Sequence, residues 1–256
     1  MRLIDSHCHF DFAAFDKDRA SVWRQCREAG VERIIIPGVS PPRWQALLDL
    51  VRSEPAWHAA LGVHPWWVAE SKCGAAQLQR DLAASLEANA CVAIGECGLD
   101  GAIATPLEKQ EEVFRAQLAL AESLQLPLIV HARRCHNEML HLLQAYRPSR
   151  GGVIHAFSGS VEIAREYWKL GFSLGAGGTI TYDRAAKTRR AFAALPLEAI
   201  VLETDAPDMP LQGHQGQRNS PACLPRIART LAELRGVSVE TVADQTRRNT
   251  EALFSL

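Results

Sequence analysis

Short apolar runs alternate with longer amphipathic stretches along the whole chain. The runs cover residues 2–5, 33–37, 58–63, 91–96, 127–131, 152–155, 172–176 and 199–203. Each is too short for a helix and is flanked by Gly, Pro or polar residues, so each predicts a strand. The stretches between them follow a helical period. Residues 111–124, for example, place Val113, Leu118, Leu120, Ala121 and Leu124 on one broad apolar face. Pro41 and Pro106 stand where a first helical turn begins, with Thr105 as the cap before the second. Gly30 and Gly171 stand where helices end. The tail, 212–256, predicts one or two helices that close the last unit.

Strands that are apolar almost throughout are buried on both faces, which is the signature of a parallel sheet. Eight strand–helix units in 256 residues suit a closed (β/α)8 TIM barrel, spanning 1–256 as a single domain. An open doubly wound sheet is the other α/β solution, but no G-x-G-x-x-G follows the first strand.

Composition then removes whole classes of function. Hydrophobic residues make up 47% and charged residues 22%, which excludes disorder, collagen-like repeats and coiled coil. Lys and Arg total 28 against 29 for Asp and Glu, so no overall basic field advertises nucleic-acid binding. Any polyanion must be gripped locally, by a metal or a few arginines. The seven cysteines include no C-x-x-C pair, and an odd, scattered set reads as free thiols in a reducing compartment. The first residues lack the apolar core of a signal peptide, and no run of 18 apolar residues occurs. The expectation is a cytoplasmic protein with no membrane partner and no obligate protein partner.

In a barrel the C-terminal ends of the strands build the active site. Six of the eight predicted strands deliver a His, Glu or Asp there. These are His7 and His9; His64; Glu96 and Asp100; His131 with Arg133; His155; and Glu203 with Asp205. Strand alternation turns residues two apart to the same side. His7 and His9 therefore form an H-x-H chelating pair, with Asp5 one layer deeper. Glu203 lies likewise beneath Asp205. The deeper carboxylates suit the outer N–H of a metal-bound histidine. Cys8 and Cys97 fall on the opposite parity and read as packed thiols. Four histidines, one glutamate and one aspartate exceed what one tetrahedral ion needs. Glu96 is the candidate bridge between two ions, and the mixed N/O set suits Zn²⁺, Mn²⁺ or Mg²⁺. Two ions about 3.5–4 Å apart clamp the attacking and leaving oxygens of a hydrolytic displacement.

Three stretches resemble one known family. Leu3-Ile4-Asp5-Ser6-His7-Cys8-His9-Phe10-Asp11 is similar to the opening motif of the TatD-type metal-dependent deoxyribonucleases, within the amidohydrolase-like barrels. Leu126-Pro127-Leu128-Ile129-Val130-His131-Ala132-Arg133 resembles the middle motif. Leu195-Pro196 with Ile200-Val201-Leu202-Glu203-Thr204-Asp205-Ala206-Pro207 resembles the third. The stretches 178–182 and 204–210 look most like the YjjV-like branch. The resemblance implies that His7 and His9 bind a first ion, that Glu96 bridges, and that His131 and His155 bind a second. It also implies that Asp205 binds the first ion and helps activate water, so that Asp205 and Glu96 carry the chemistry. One departure matters. Many relatives have aromatic or basic residues after Gly-Leu-Asp, whereas this chain has Gly101-Ala102-Ile103-Ala104.

The expected activity is phosphodiester hydrolysis, of DNA or another phosphodiester, by a metal-activated water. Arg133, two residues past His131, is placed to clamp a phosphate. His64 either shapes the Gly-x-His-Pro turn or contacts substrate, and Asp100 closes its loop. Two rival readings share the same residues. One is ester or amide hydrolysis, including the ester of an aminoacyl-tRNA. The other is a metal-binding barrel without catalysis.

Overall fold

Each of the eight apolar runs forms a strand in the computed structural model, which describes residues 1–71 and 73–256. The strands are β1 (Leu3–Asp5), β2 (Val31–Gly38), β3 (Trp57–Leu61), β4 (Ala93–Asp100), β5 (Leu128–Arg133), β6 (Gly152–Ile154), β7 (Phe172–Ala176) and β8 (Ile200–Leu202). They form one sheet in chain order, with parallel pairing where register is defined. Just past the end of β1, Ser6 N–H donates to Leu202 O of β8 at 2.9 Å. The fold is the (β/α)8 barrel. No helix among the described residues is long and apolar enough to cross a membrane.

The chain packs as two compact units. The first comprises Met1–Ile36, His155–Trp168 and Ser173–Leu256. Its core includes packed aromatic rings: Phe10 against Phe15 at 4.8 Å between ring centroids, and Phe157 edge-on to Tyr167 and Phe192. The helix Arg19–Glu28 ends as expected, with Gly30 at φ +90°. The tail forms helices Leu224–Arg235 and Val239–Phe254, the second capped by the Ser238 hydroxyl.

The second unit comprises Pro37–Ile154 and Lys169–Phe172. Its helix Pro41–Val51 starts on Pro41, as the sequence predicts. The helix Leu107–Leu124 departs from expectation at its start. Pro106 is itself the cap residue and Thr105 supplies no capping side chain. Instead the Thr105 carbonyl accepts from Gln110 Nε2 at 2.7 Å. The face of this helix is less apolar than its periodicity suggests, because Gln110 and Gln117 are buried in it while Leu124 is only half-buried. Strand β4 runs four residues past the predicted boundary at Glu96, to Asp100. Gly98 permits this. A Cβ there would lie 2.1 Å from the His131 carbonyl oxygen, so only glycine lets β4 approach β5 so closely.

Candidate metal centre

In the first unit the chain beyond β1 stays zipped to the chain beyond β8. Asp205 N–H donates to His7 O at 2.9 Å, and His9 N–H donates to Ala206 O at 2.8 Å. Asp205 takes a left-handed backbone, φ +56°, a conformation that aspartate tolerates better than most residues. The result is convergence. His7 Nε2 and His9 Nε2 lie 3.3 Å apart. Asp205 Oδ1 lies 3.4 Å from the first and 3.6 Å from the second. Two ligands of one tetrahedral zinc keep about the same spacing, roughly 3.3 Å. Two imidazole nitrogens and one carboxylate oxygen are a fitting donor set for a borderline divalent cation. His155 belongs to the same unit, its ring stacked on His7 at 3.9 Å and 9°.

The two deeper carboxylates of this unit do different things. Asp5 is fully buried and accepts from the His7 backbone N–H (3.2 Å), the Thr204 N–H (3.0 Å) and the Thr204 hydroxyl (2.5 Å). It fixes the two backbones that carry the cluster. Burial pushes its pKa up to about 7 against these hydrogen bonds. Glu203 accepts from Ala156 N–H and lies 3.9 Å from His155 Nδ1. It fits a slot kept open by Gly175, where a Cβ would fall 2.1 Å from Glu203 Oε2. Burial, partly offset by His155, pushes its pKa up to about 8. Asn219, which sequence reasoning passed over, holds the loop after β8 from below, donating to Thr204 O at 2.9 Å and to Met209 O at 3.2 Å.

Removing the Asp5 carboxylate would strand three buried donors. Unsatisfied buried groups cost about 1–3 kcal/mol each. Asp5→Ala is therefore expected to destabilise the fold by about 3 kcal/mol, a fall in Tm of roughly 6–12 °C for a domain of this size. Thermal unfolding by circular dichroism checks this, and an unchanged Tm would refute the role.

In the second unit Glu96 stands on β4 and His131 on β5. Glu96 Oε1 receives His131 Nδ1 at 3.0 Å and His64 Nε2 at 3.2 Å. The three residues offer ligand atoms within 4.8 Å of one another. The far side of the His131 ring, Nε2, lies 3.2 Å from Asp100 Oδ2. Asp100 therefore does more than close its loop. It accepts from Ala102 N–H, as that reading requires, but its other oxygen holds the histidine ring and the Trp66 indole N–H, the latter at 2.8 Å. Burial would raise its pKa, but the hydrogen bonds from His131, Trp66 and Ala102 outweigh burial and hold it well below the usual carboxylate range. A carboxylate orienting the outer nitrogen of a ligand histidine is a recurrent feature of metal sites.

His64 is capped on its other side. Its Nδ1 accepts the Trp66 backbone N–H at 3.2 Å, which puts the neutral ring's proton on Nε2, facing Glu96. Arg133 is exposed, with Nη1 3.7 Å from Asp100 Oδ2. Two buried glutamines hold these loops. Gln110 Oε1 accepts from Asp100 N–H at 2.7 Å, and Gln117 Oε1 accepts from Val63 N–H at 2.8 Å. Cys8 and Cys97 are buried against carbonyls, as parity predicts.

Comparison with known proteins agrees with this chemistry. The family model for TatD related DNase matches residues 4–255. The "Uncharacterized metal-dependent hydrolase YjjV" of Escherichia coli (strain K12) is 41% identical, with 100% of this chain and 98% of that protein covered. Its crystal structure superposes with a TM-score of 0.95 at 40% identity, covering 100% and 98% of the two chains. A protein of Erwinia amylovora named "3'-5' ssDNA/RNA exonuclease TatD" is 37% identical, with 99% of this chain and 100% of that protein covered. The chain belongs to the TatD family of metal-dependent hydrolases.

Proposed function

We propose that this protein hydrolyses phosphodiester bonds in single-stranded nucleic acid, using two divalent cations, of zinc, manganese or magnesium. The observation that carries the proposal is the pair of histidine–carboxylate clusters, His7–His9–Asp205 and His64–Glu96–His131. His7, His9 and Asp205 would hold one ion. Glu96 and His131 would hold another. The Erwinia relative's name points to single strands as substrate. The seven free cysteines fit work in the cytoplasm.

Such ions, when bound, make water acidic enough to attack at neutral pH and neutralise charge on the phosphoryl oxygens. The protein's own groups supply the rest. Asp205, slightly exposed beside His7 and His9, orients the attacking water and takes its proton. The exposed Arg133 guanidinium donates to a non-bridging phosphate oxygen. His64, whose Nε2–H faces the cluster, would contact the substrate as a hydrogen-bond donor.

A substrate panel tests the proposal. The metal-loaded protein is offered single-stranded oligonucleotides, a phosphomonoester, a carboxylic ester and an aminoacyl-tRNA. Metal-dependent turnover of the oligonucleotides, at rates well above the others, is expected. Turnover confined to the carboxylic esters would overturn it in favour of ester hydrolysis on the same residues.

A further inference from the structure

We infer that the indole of Trp66 is a stacking platform for an unpaired base of the substrate, beside the scissile phosphate. The inference rests on the phosphodiesterase reading and names how the strand is held.

Trp66 is 54% exposed, whereas Trp23 and Trp44 are 5% and 4% exposed. Exposure alone says little, since scattered apolar side chains are normal on a surface. What singles out Trp66 is that it is exposed and anchored together. Its N–H is held by Asp100 Oδ2, a fully buried carboxylate, at 2.8 Å. Its ring stands nearly perpendicular to His64, at 83° with centroids 5.5 Å apart. Two fixed contacts orient the ring, and with its polar edge occupied, the exposed remainder is carbon. A pre-oriented flat face loses little entropy when a base settles on it.

The neighbours specify the ligand. The oxygen that anchors Trp66 is also 3.2 Å from His131 Nε2 and 3.7 Å from Arg133 Nη1. A flat apolar face, an exposed guanidinium and a candidate metal ligand thus converge on one oxygen. That combination matches a nucleotide, with its base on the indole and its phosphate toward Arg133. It also answers the one departure from the family pattern. The segment 101–104 has no aromatic side chain. The Trp66–Asp100 bond brings one to the end of β4 from the short helix Pro65–Val68 that follows β3.

Base–aromatic stacking is worth about 1–3 kcal/mol, or roughly 5- to 150-fold in binding. The test uses metal-loaded wild type, Trp66→Ala and Trp66→Phe. Each is assayed on a single-stranded oligonucleotide and on versions with an abasic residue at each of the last three positions. Trp66→Ala is expected to raise KM about 10- to 100-fold on the intact strand with kcat nearly unchanged, and Trp66→Phe to recover most of the loss. At one position the abasic strand should bind wild type as weakly as the intact strand binds Trp66→Ala, with no further loss when the two changes combine. A structural role through Asp100 would lower kcat on every strand alike, and phenylalanine would not rescue it. That pattern overturns the platform while leaving the phosphodiesterase reading standing. Absence of wild-type cleavage of any strand would overturn both.

Discussion

Asp205→Asn is expected to lower kcat on the best phosphodiester by about 10²–10⁴-fold, the usual cost of losing a general base. Asparagine keeps the shape and one coordinating oxygen. It also accepts a left-handed backbone as readily as aspartate, so the φ of +56° is no obstacle. The supports of the loop are backbone hydrogen bonds and Asn219, none of which uses the Asp205 side chain. What disappears is the ability to take a proton from water beside His7 and His9. Glu203→Gln is the matched control. Its carboxylate lies 3.9 Å from His155 and accepts from the Ala156 N–H, and glutamine retains an oxygen for that bond. A loss of about 10–100-fold is expected there. Both are measured at saturating metal, so that weakened affinity is not mistaken for lost chemistry. If Asp205→Asn keeps most of its turnover while Glu203→Gln abolishes it, the two carboxylates have exchanged roles.

His131→Ala should act mainly through metal. The ring spans two carboxylates, with Nδ1 3.0 Å from Glu96 and Nε2 3.2 Å from Asp100. On the proposed reading, deleting it removes a ligand and also the group through which Asp100 orients the cluster. Losing an outer partner alone costs about 10–100-fold in metal affinity, so a direct ligand should cost at least about 100-fold. Elemental analysis after desalting should then find one ion fewer per chain, with turnover falling in step. Arg133→Ala is the contrasting variant. Its guanidinium is exposed and reaches Asp100 only at 3.7 Å, so metal content should stay and KM should rise. An His131→Ala protein with a full metal complement would remove His131 from the ligand set.

The strand frame was legible because period and length report it directly. All eight runs became strands, with edges displaced by a few residues. The largest displacement, at the end of β4, has a physical cause. Gly98 lies just past the apolar run, yet it serves close approach to His131, a contact that no local pattern encodes. The histidines and acidic residues were legible because strand ends gather them. Their supports were not. Asp5 holds the His7 and Thr204 backbones, a link between residues 199 apart in the chain. Gln110 and Gln117 look like the polar side of an amphipathic helix, and only the fold shows them bonded to the backbones of Asp100 and Val63. Their spacing of seven on one helical face was the available signal. Trp66 carried no chemistry in sequence, because its meaning lies in a bond to Asp100, 34 residues away.

The central claim is that turnover depends on two ions held by this ligand set. The most direct measurement titrates metal-stripped protein with Mn²⁺ or Zn²⁺ while following cleavage of a single-stranded oligonucleotide, with bound metal determined at each point. Negligible cleavage without metal, rising to a plateau as occupancy reaches two ions per chain, is the predicted result. Full turnover at no more than one bound ion, or turnover that survives complete removal of metal, would contradict it.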